Sequence, residues 1–420
     1  MSGSLEATLA APNAERWAPV ARVCMLLSAV GCFISPPLTN IGAALGLITL
    51  FFIPGAAGEL RAAAARPMGM CVLALLATMA LAMCWSDAPW SRRFGEWWSW
   101  RPMLLLLVLA PLFTSEQAKD RFALALVGVL ALFAAASFFV LLLPNPVIID
   151  QPGVILRNHT TQGMALVVGS ILAAMMAWGR PVSPRLRLLL VGALILFVAN
   201  LALVTTGRSA HVAILVAGAL CGFSLATARW RWWVAAAVVL LGLGVLASSS
   251  MVRDRFAKAY EEIGTANTVT TETAIGSRIV IWNITRDLIA RHPMLGYGMG
   301  GFPAAYAQEL EQRHDLAWRA EVQDPQNEYL RVIVDAGIPG VLAFAAFVLG
   351  LLRQQAQAPY RGAARALLIA WLCTSVFNSH FQTFAEAHLL ALVLGVLLAS
   401  EGAPQRSSSS RAVTAAATSS

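Results

Sequence analysis

Two arginines stand where an anion could be held. Arg208 follows Gly207 in TTGRSA, at the outer end of a long apolar run, and Arg278 follows Gly276 and Ser277 in GSRIVIW. A guanidinium keeps its charge and grips phosphate or carboxylate with a two-pronged fork. A cation at the end of an apolar run is costly to desolvate unless it is paired or wet. Arg208 therefore has two readings. One is a side chain snorkelling to the lipid–water boundary. The other is a phosphate clamp, in which Gly207 lets the backbone approach an anion closely and Ser209 and His211 add donors. Arg278 lies near the start of a run with helical spacing, where free backbone N–H groups and an arginine together suit a phosphate. Its other reading is a surface arginine paired with Glu272 or Asp287.

Other chemistries are poorly supported. His159, His211, His292, His314, His380 and His388 show no zincin spacing and no companion acidic cluster, so no metal site is expected. A serine hydrolase would need a GxSxG elbow, which is missing. GYGMGGF at residues 296–302 is glycine-rich, but no strand precedes it, so it reads as a turn-rich loop and not as a dinucleotide fingerprint. The cysteines (Cys24, Cys32, Cys71, Cys84, Cys221 and Cys373) all lie in apolar runs without CxxC spacing and read as small core or lipid-facing residues.

The elements that must position these residues are membrane helices. The chain is 58% hydrophobic and 12% charged, with mean hydropathy +0.68, the composition of a polytopic membrane protein. Apolar runs fall at 18–34, 38–56, 67–85, 102–115, 122–143, 162–179, 187–206, 209–227, 231–249, 338–352, 362–379 and 383–400. The expected fold is all-α, with about twelve transmembrane helices. Loops holding Arg61 and Arg66, Lys119 and Arg121, Arg180, Arg185 and Arg187, Arg229 and Arg231, and Arg353, Arg361 and Arg365 alternate with loops of little charge such as 35–38 and 378–383. By the positive-inside rule the basic loops and both termini are cytoplasmic. The net charge of +8 is then a topology signal, with no nucleic-acid partner implied.

This division gives nine helices in 1–249, a large outer loop at 250–337 with helices of its own, three helices in 338–400, and a disordered Ser/Ala-rich cytoplasmic tail at 401–420. Residues 1–15 lack a positive n-region, so no cleavable signal peptide is expected. Within the outer loop, helical spacing covers 253–263, 275–291 and 303–319; Ile279, Trp282, Ile284, Leu288 and Ile289 form an apolar face, and Pro293 ends that run. SDAPWSRRFGEWWSWR, outside, sets Trp90, Trp97, Trp98 and Trp100 beside Arg92, Arg93 and Arg101, either an interfacial aromatic belt or a surface for lipid head groups. A transporter would be expected to show internal repeats and matched intramembrane charges; neither is evident.

The order of segments resembles the O-antigen ligase and polymerase superfamily. TTGRSA closes a mid-chain span; Ser277, Arg278 and Trp282 match an SRxxxW-type segment; Pro293, Gly296, Gly298 and Phe302 match a PxxGxGxxF-type turn; Asn327 and Leu330 match an HNxxL-type segment ahead of Gly337. The resemblance covers the core from about Arg157 to Gly340. It implies transfer of a glycan from an undecaprenyl-diphosphate carrier to a sugar hydroxyl of lipid A-core, on the periplasmic face of the bacterial inner membrane, without metal or other cofactor. Polymerase and protein O-oligosaccharyltransferase activities use the same donor. By resemblance, Arg208 and Arg278 bind the diphosphate. Arg157 is a third candidate, and His159 beside it could bind donor or acceptor. The family's HNxxL histidine, often the general base, is here Gln326, which cannot take a proton at neutral pH. His314, in EQRHDL, is taken as the base, with Glu328 and Asp324 as alternatives; Gln326 and Asn327 would orient sugar hydroxyls. The other partners are membrane lipids, and the oligomeric state is left open.

Overall fold

The computed structural model describes residues 2–145, 147–149, 151–250, 253, 254, 257, 260, 276–313 and 321–400, with side chains from residue 16 onward. Among these residues the regular structure is helical, apart from one isolated bridge between Val147 and Pro152. The helices are α1 (Ser2–Ile34), α2 (Pro36–Leu50), α3 (Ala56–Ala65), α4 (Pro67–Leu81), α5 (Trp90–Trp98), α6 (Leu105–Val108), α7 (Glu116–Leu141), α8 (His159–Gly179), α9 (Pro184–Leu203) and α10 (Arg208–Leu225). They continue with α11 (Arg231–Ser248), α12 (Gly276–Arg291), α13 (Phe302–Gln312), α14 (Glu328–Arg353), α15 (Tyr360–Thr374) and α16 (Phe384–Leu398).

Seven of these, α1, α7, α8, α9, α10, α11 and α14, are long and apolar enough to cross a bilayer. α3 and α4 are together apolar and long enough for a broken span or a re-entrant loop, bent by 78°. The bend has a local cause: Arg66 precedes Pro67 and is forced into extended backbone, with ψ 154°. α2 and α16 are apolar but shorter, at 15 residues each. The chain is thus a multi-pass helical membrane protein, with fewer full spans among the described residues than the twelve expected.

The span expected at 102–115 is absent. Its run opens as a 3-10 turn at Arg101–Leu104, passes through the four residues of α6, and breaks before Pro111, which lacks the N–H a helix would need. Leu105, Leu106, Leu109, Leu112 and Phe113 are buried, so the run fills the core instead of facing lipid. The expected helix at 253–263 and the tail at 401–420 lie outside the described residues, apart from Arg253, Asp254, Ala257 and Tyr260.

α8 and α16 form the centre and are buried along almost their whole length. A polar network ties α7, α8 and α9 together near the start of α8. Gln162 donates to Ser137 Oγ and Asn200 Oδ1, each at 3.2 Å, and Asn200 donates to Ser137 at 2.8 Å. Gln162 Oε1 also accepts from the Ile155 and Leu156 N–H groups, which fixes the loop that carries Arg157.

The glycine-rich segment is a turn, as its composition predicts. Gly296 and Gly298 have φ of 66° and 75°, and a Cβ on Gly298 would lie 2.6 Å from Ser86 Cα. The Tyr297 N–H donates to Val334 O at 2.7 Å and the Met299 N–H to Ala82 O at 3.1 Å. The turn is thereby pinned between the end of α4 and α14. At the predicted break, Gly337 has φ 59° inside α14, so the helix runs from Glu328 through a kink to Arg353 and does not begin at 338. α12 and α13 enclose a second small core of Ile281, Ile284, Leu288, Phe302, Tyr306 and Leu310. Of the expected apolar face, Ile284 and Leu288 are buried; Ile281 takes the place assigned to Ile279.

Candidate active site

Arg208 is the first residue of α10, with Gly207 at its N-cap and no side-chain cap. That helix start packs against the start of α8, whose N-cap Asn158 accepts from the Thr161 N–H at 2.7 Å. A Cβ on Gly207 would lie 3.3 Å from His159 Cδ2, so His159 and Arg208 belong to neighbouring helix ends. Ser209 accepts from Asn378 Nδ2 at 2.7 Å. His211 is no part of a clamp: it is buried, with Nε2 2.8 Å from Leu201 O, because a position three residues into the helix turns toward the core.

Arg278 is brought near Arg208 from the segment between α11 and α14. Its Nε donates to Gln326 Oε1 at 3.1 Å, and one turn later Trp282 Nε1 donates to Pro325 O at 3.1 Å. These bonds hold α12 against the bent stretch before α14. Burial holds the Arg278 guanidinium below its ordinary value, the charge of Arg208 acts in the same direction, and Asp324 opposes both. Two like charges that sense one another are unfavourable unless an anion offsets them. Among the described residues neither arginine makes an ion pair within 4.0 Å. The expected alternative partner of Arg278, Asp287, is bound instead by Arg313 and Arg286.

Gln326 has left-handed backbone, with φ 51°, uncommon for a residue other than glycine. Its N–H donates to Asp324 Oδ1 at 2.5 Å, so the same residue binds Asp324 through backbone and Arg278 through side chain. Asn327 is the N-cap of α14, its Oδ1 accepting from the Tyr329 and Leu330 N–H groups at 3.0 and 3.1 Å. Glu328 is fully buried, and its carboxylate accepts from the Phe381 N–H at 2.8 Å and Gln382 Nε2 at 3.1 Å. Each oxygen thus holds a loop. His314 lies outside the described residues.

The loop that Glu328 holds, residues 375–383, connects nearly every part of the site. Asn378 reaches Ser209; Ser379 Oγ donates to Asp324 Oδ1 at 3.2 Å; Ser99 Oγ donates to Gln382 Oε1 at 3.0 Å; the Phe377 ring lies 6.5 Å from Trp282. Phe384, just after it, carries the guanidinium groups of Arg101 and Arg157 at 5.5 and 5.4 Å. Arg157 thus sits beside the α8 start, two residues from His159, but stacked on an aromatic ring. Sequence reasoning missed this loop, having noted only its lack of charge. The available signal was polar density: FNSHFQT sets five polar residues, Asn378, Ser379, His380, Gln382 and Thr383, in a short turn between apolar helices. It also missed Arg331, which pairs with Glu96 of α5 and lies 3.9 and 3.8 Å from Asp324 and Asp335.

Residues 193–345 match the family model described as O-Antigen ligase. This segment belongs to the O-antigen ligase superfamily. It contains Arg208, Arg278, Asp324, Gln326 and the kink at Gly337, while Arg157, His159 and the 375–383 loop lie outside it. No curated protein matches the chain. The matched segment therefore supplies both arginines, and flanking parts of the chain supply Arg157, His159 and the 375–383 loop. The chain is a multi-pass membrane protein with a glycosyltransferase-like domain of the ligase and polymerase type.

Proposed function

We propose that the protein is an O-antigen ligase, transferring a glycan from undecaprenyl diphosphate to a sugar hydroxyl of lipid A-core on the periplasmic face of the inner membrane. The observation that supports this reading is the pair Arg208 and Arg278, delivered by different elements, with Arg278 in electrostatic reach of Arg208 and neither in an ion pair among the described residues. As the bond from the anomeric carbon to the diphosphate oxygen breaks, negative charge grows on the leaving group. Preorganised guanidinium groups stabilise that charge more in the transition state than before it. The two helix N-termini at His159 and Arg208 add aligned N–H groups on the same side. The outer segment with α12 and α13 acts as a cover over a site level with the membrane surface, open to lipid-borne donor and acceptor. Arg157, stacked on Phe384, and His159 border the site as contacts for donor or acceptor.

The test is reconstitution of the purified protein with an undecaprenyl-diphosphate glycan and, in separate vesicles, lipid A-core or a second lipid-linked repeat. Attachment of the glycan reducing end to the core sugar supports a ligase; chain extension on the second repeat means a polymerase; neither product overturns the reading. Excess EDTA is expected to leave the rate unchanged, and a loss restored by Mg²⁺ would add a metal to the mechanism.

A further inference from the structure

We propose that Asp324 is the general base that accepts the proton of the acceptor hydroxyl, an inference that rests on the glycan-transfer reading above. Gln326 at the adjoining turn has no basic atom to offer. Its left-handed backbone instead folds residues 324–326 so that one carboxylate is set beside the arginine clamp. Asp324 Oδ1 is fixed by two donors, the Gln326 N–H at 2.5 Å and Ser379 Oγ at 3.2 Å. Among the described residues Oδ2 accepts no hydrogen bond; Arg331 Nη1 pairs with it only at 3.9 Å, beyond hydrogen-bonding reach. About a third of the side chain, 34%, remains exposed. One oxygen anchored and the other open is the geometry a base requires.

The neighbouring carboxylates and His380 are occupied or enclosed. Glu328 uses both oxygens on the 375–383 loop, Glu96 pairs with Arg331, and Asp335 is buried against it. His380 is 1% exposed, and burial pushes its imidazole down to about 3. Asp324 also has the right connection to the leaving-group end. Gln326 holds Asp324 through its N–H and Arg278 through its side chain, so base and clamp share one rigid turn. In the step, the acceptor O–H bond breaks and its proton passes to Asp324 Oδ2. The freed oxygen pair forms the bond to the anomeric carbon. The bond from that carbon to the diphosphate oxygen breaks, its electrons remaining on the diphosphate at Arg208 and Arg278. Asp324 then returns the proton to water.

The experiment uses the full chain in vesicles with an undecaprenyl-diphosphate glycan and lipid A-core. Asp324→Asn is expected to lower turnover by about 100- to 10,000-fold while affinity for undecaprenyl diphosphate stays within about threefold. Asp324→Ala is expected to lose the same activity and to recover part of it with added formate, a small carboxylate that enters the vacated space. A structural role would not show that recovery. Asp324→Asn turnover within about fivefold of the native protein overturns the proposal, as does weakened diphosphate binding, or an Asp324→Ala loss that formate does not recover. His159→Gln and His314→Ala run beside these variants; a comparable loss confined to either histidine assigns the proton to imidazole. Arg208→Ala separates the two levels. If it abolishes transfer while Asp324→Asn does not, only the base is wrong; if both transfer normally, the glycan-transfer site itself is misplaced.

Discussion

The two ends of α8 treat arginine in opposite ways. At its far end Arg180 is held by Glu116 and Asp120, each at 2.9 Å, and stacks on Tyr360, whose hydroxyl donates to Asp120 at 2.7 Å. At its near end, about 30 Å away along the helix axis, His159 borders Arg208, and among the described residues neither Arg208 nor Arg278 is in an ion pair. Arg180 closes its own charge balance and ties α7, α8 and α15 together. Near Arg208 and Arg278 the one carboxylate that acts on Arg278, Asp324, lies beyond ion-pair distance. A stable fold retains like charges in proximity only when something outside the fold repays the cost. The contrast separates an arginine that holds helices from arginines kept for an anion.

The sharpest way to break this contrast is to remove each kind of arginine in turn. Arg208→Ala or Arg278→Ala is expected to lower glycan transfer by about 100- to 1,000-fold, with insertion and thermal unfolding close to native. Arg180→Ala is expected to do the reverse: turnover per folded molecule stays within about twofold, and stability falls by on the order of 1–2 kcal/mol as two carboxylates lose their partner. Rates in vesicles and melting in detergent check both halves. Equal losses of rate from all three variants would erase the distinction.

The sequence made Arg208 and Arg278 legible because each stood at a punctuation mark, one after Gly207 at the end of an apolar run and the other after Gly276-Ser277 at a helix start. Helix positions in the bundle were legible for the same reason: apolar runs of spanning length have few other uses. The run at 102–115 failed that test because length and hydropathy do not distinguish a lipid-facing helix from a proline-broken segment buried in protein. The 375–383 loop was illegible for a different reason. Its roles come from partners at Ser99, Ser209, Asp324 and Glu328, which are distant in sequence and meet only after α10, α14, α15 and α16 pack. The contacts of Glu328 with Phe381 and Gln382 were hidden in the same way.

A narrower variant sharpens the contrast from within the site. Gln326→Gly keeps the left-handed turn, since glycine adopts positive φ without strain, and deletes only the side chain that receives Arg278 Nε. Loss of that one bond, worth about 1.4 kcal/mol, predicts about a tenfold rise in the KM for the lipid-linked donor. Turnover at saturating donor is expected to change less, because the backbone bond to Asp324 is retained. Gln326→Ala serves as the strained companion: alanine resists φ 51°, so it is expected to lose turnover as well. If the glycine variant were indistinguishable from native in donor KM, Arg278 would not depend on Gln326 for its position.

The smallest effect asks whether pairing, and not location, is what divides the arginines. Arg313 lies with Arg278 in the segment between α11 and α14 but is closed like Arg180, by Asp287 and Glu309. The hydrogen bond from Arg313 is the main cause that holds the Asp287 carboxyl below its ordinary value, against a smaller opposing contribution from burial. A carboxylate with a depressed value in the folded state contributes stability that is present above the unfolded value, near 3.9, and is lost as pH falls through the folded one. That segment of the native protein should therefore loosen on acidification below about pH 4, read by hydrogen exchange across α12 and α13. Arg313→Ala should lower its protection at neutral pH by about 1 kcal/mol or less and flatten that acid dependence, because Asp287 no longer differs as much between folded and unfolded states. Donor affinity should remain near native in the same variant. A fall in donor affinity equal to that of Arg278→Ala would mean that every cation of that segment serves the ligand, and that the presence of a carboxylate partner does not mark which arginines are free to bind it.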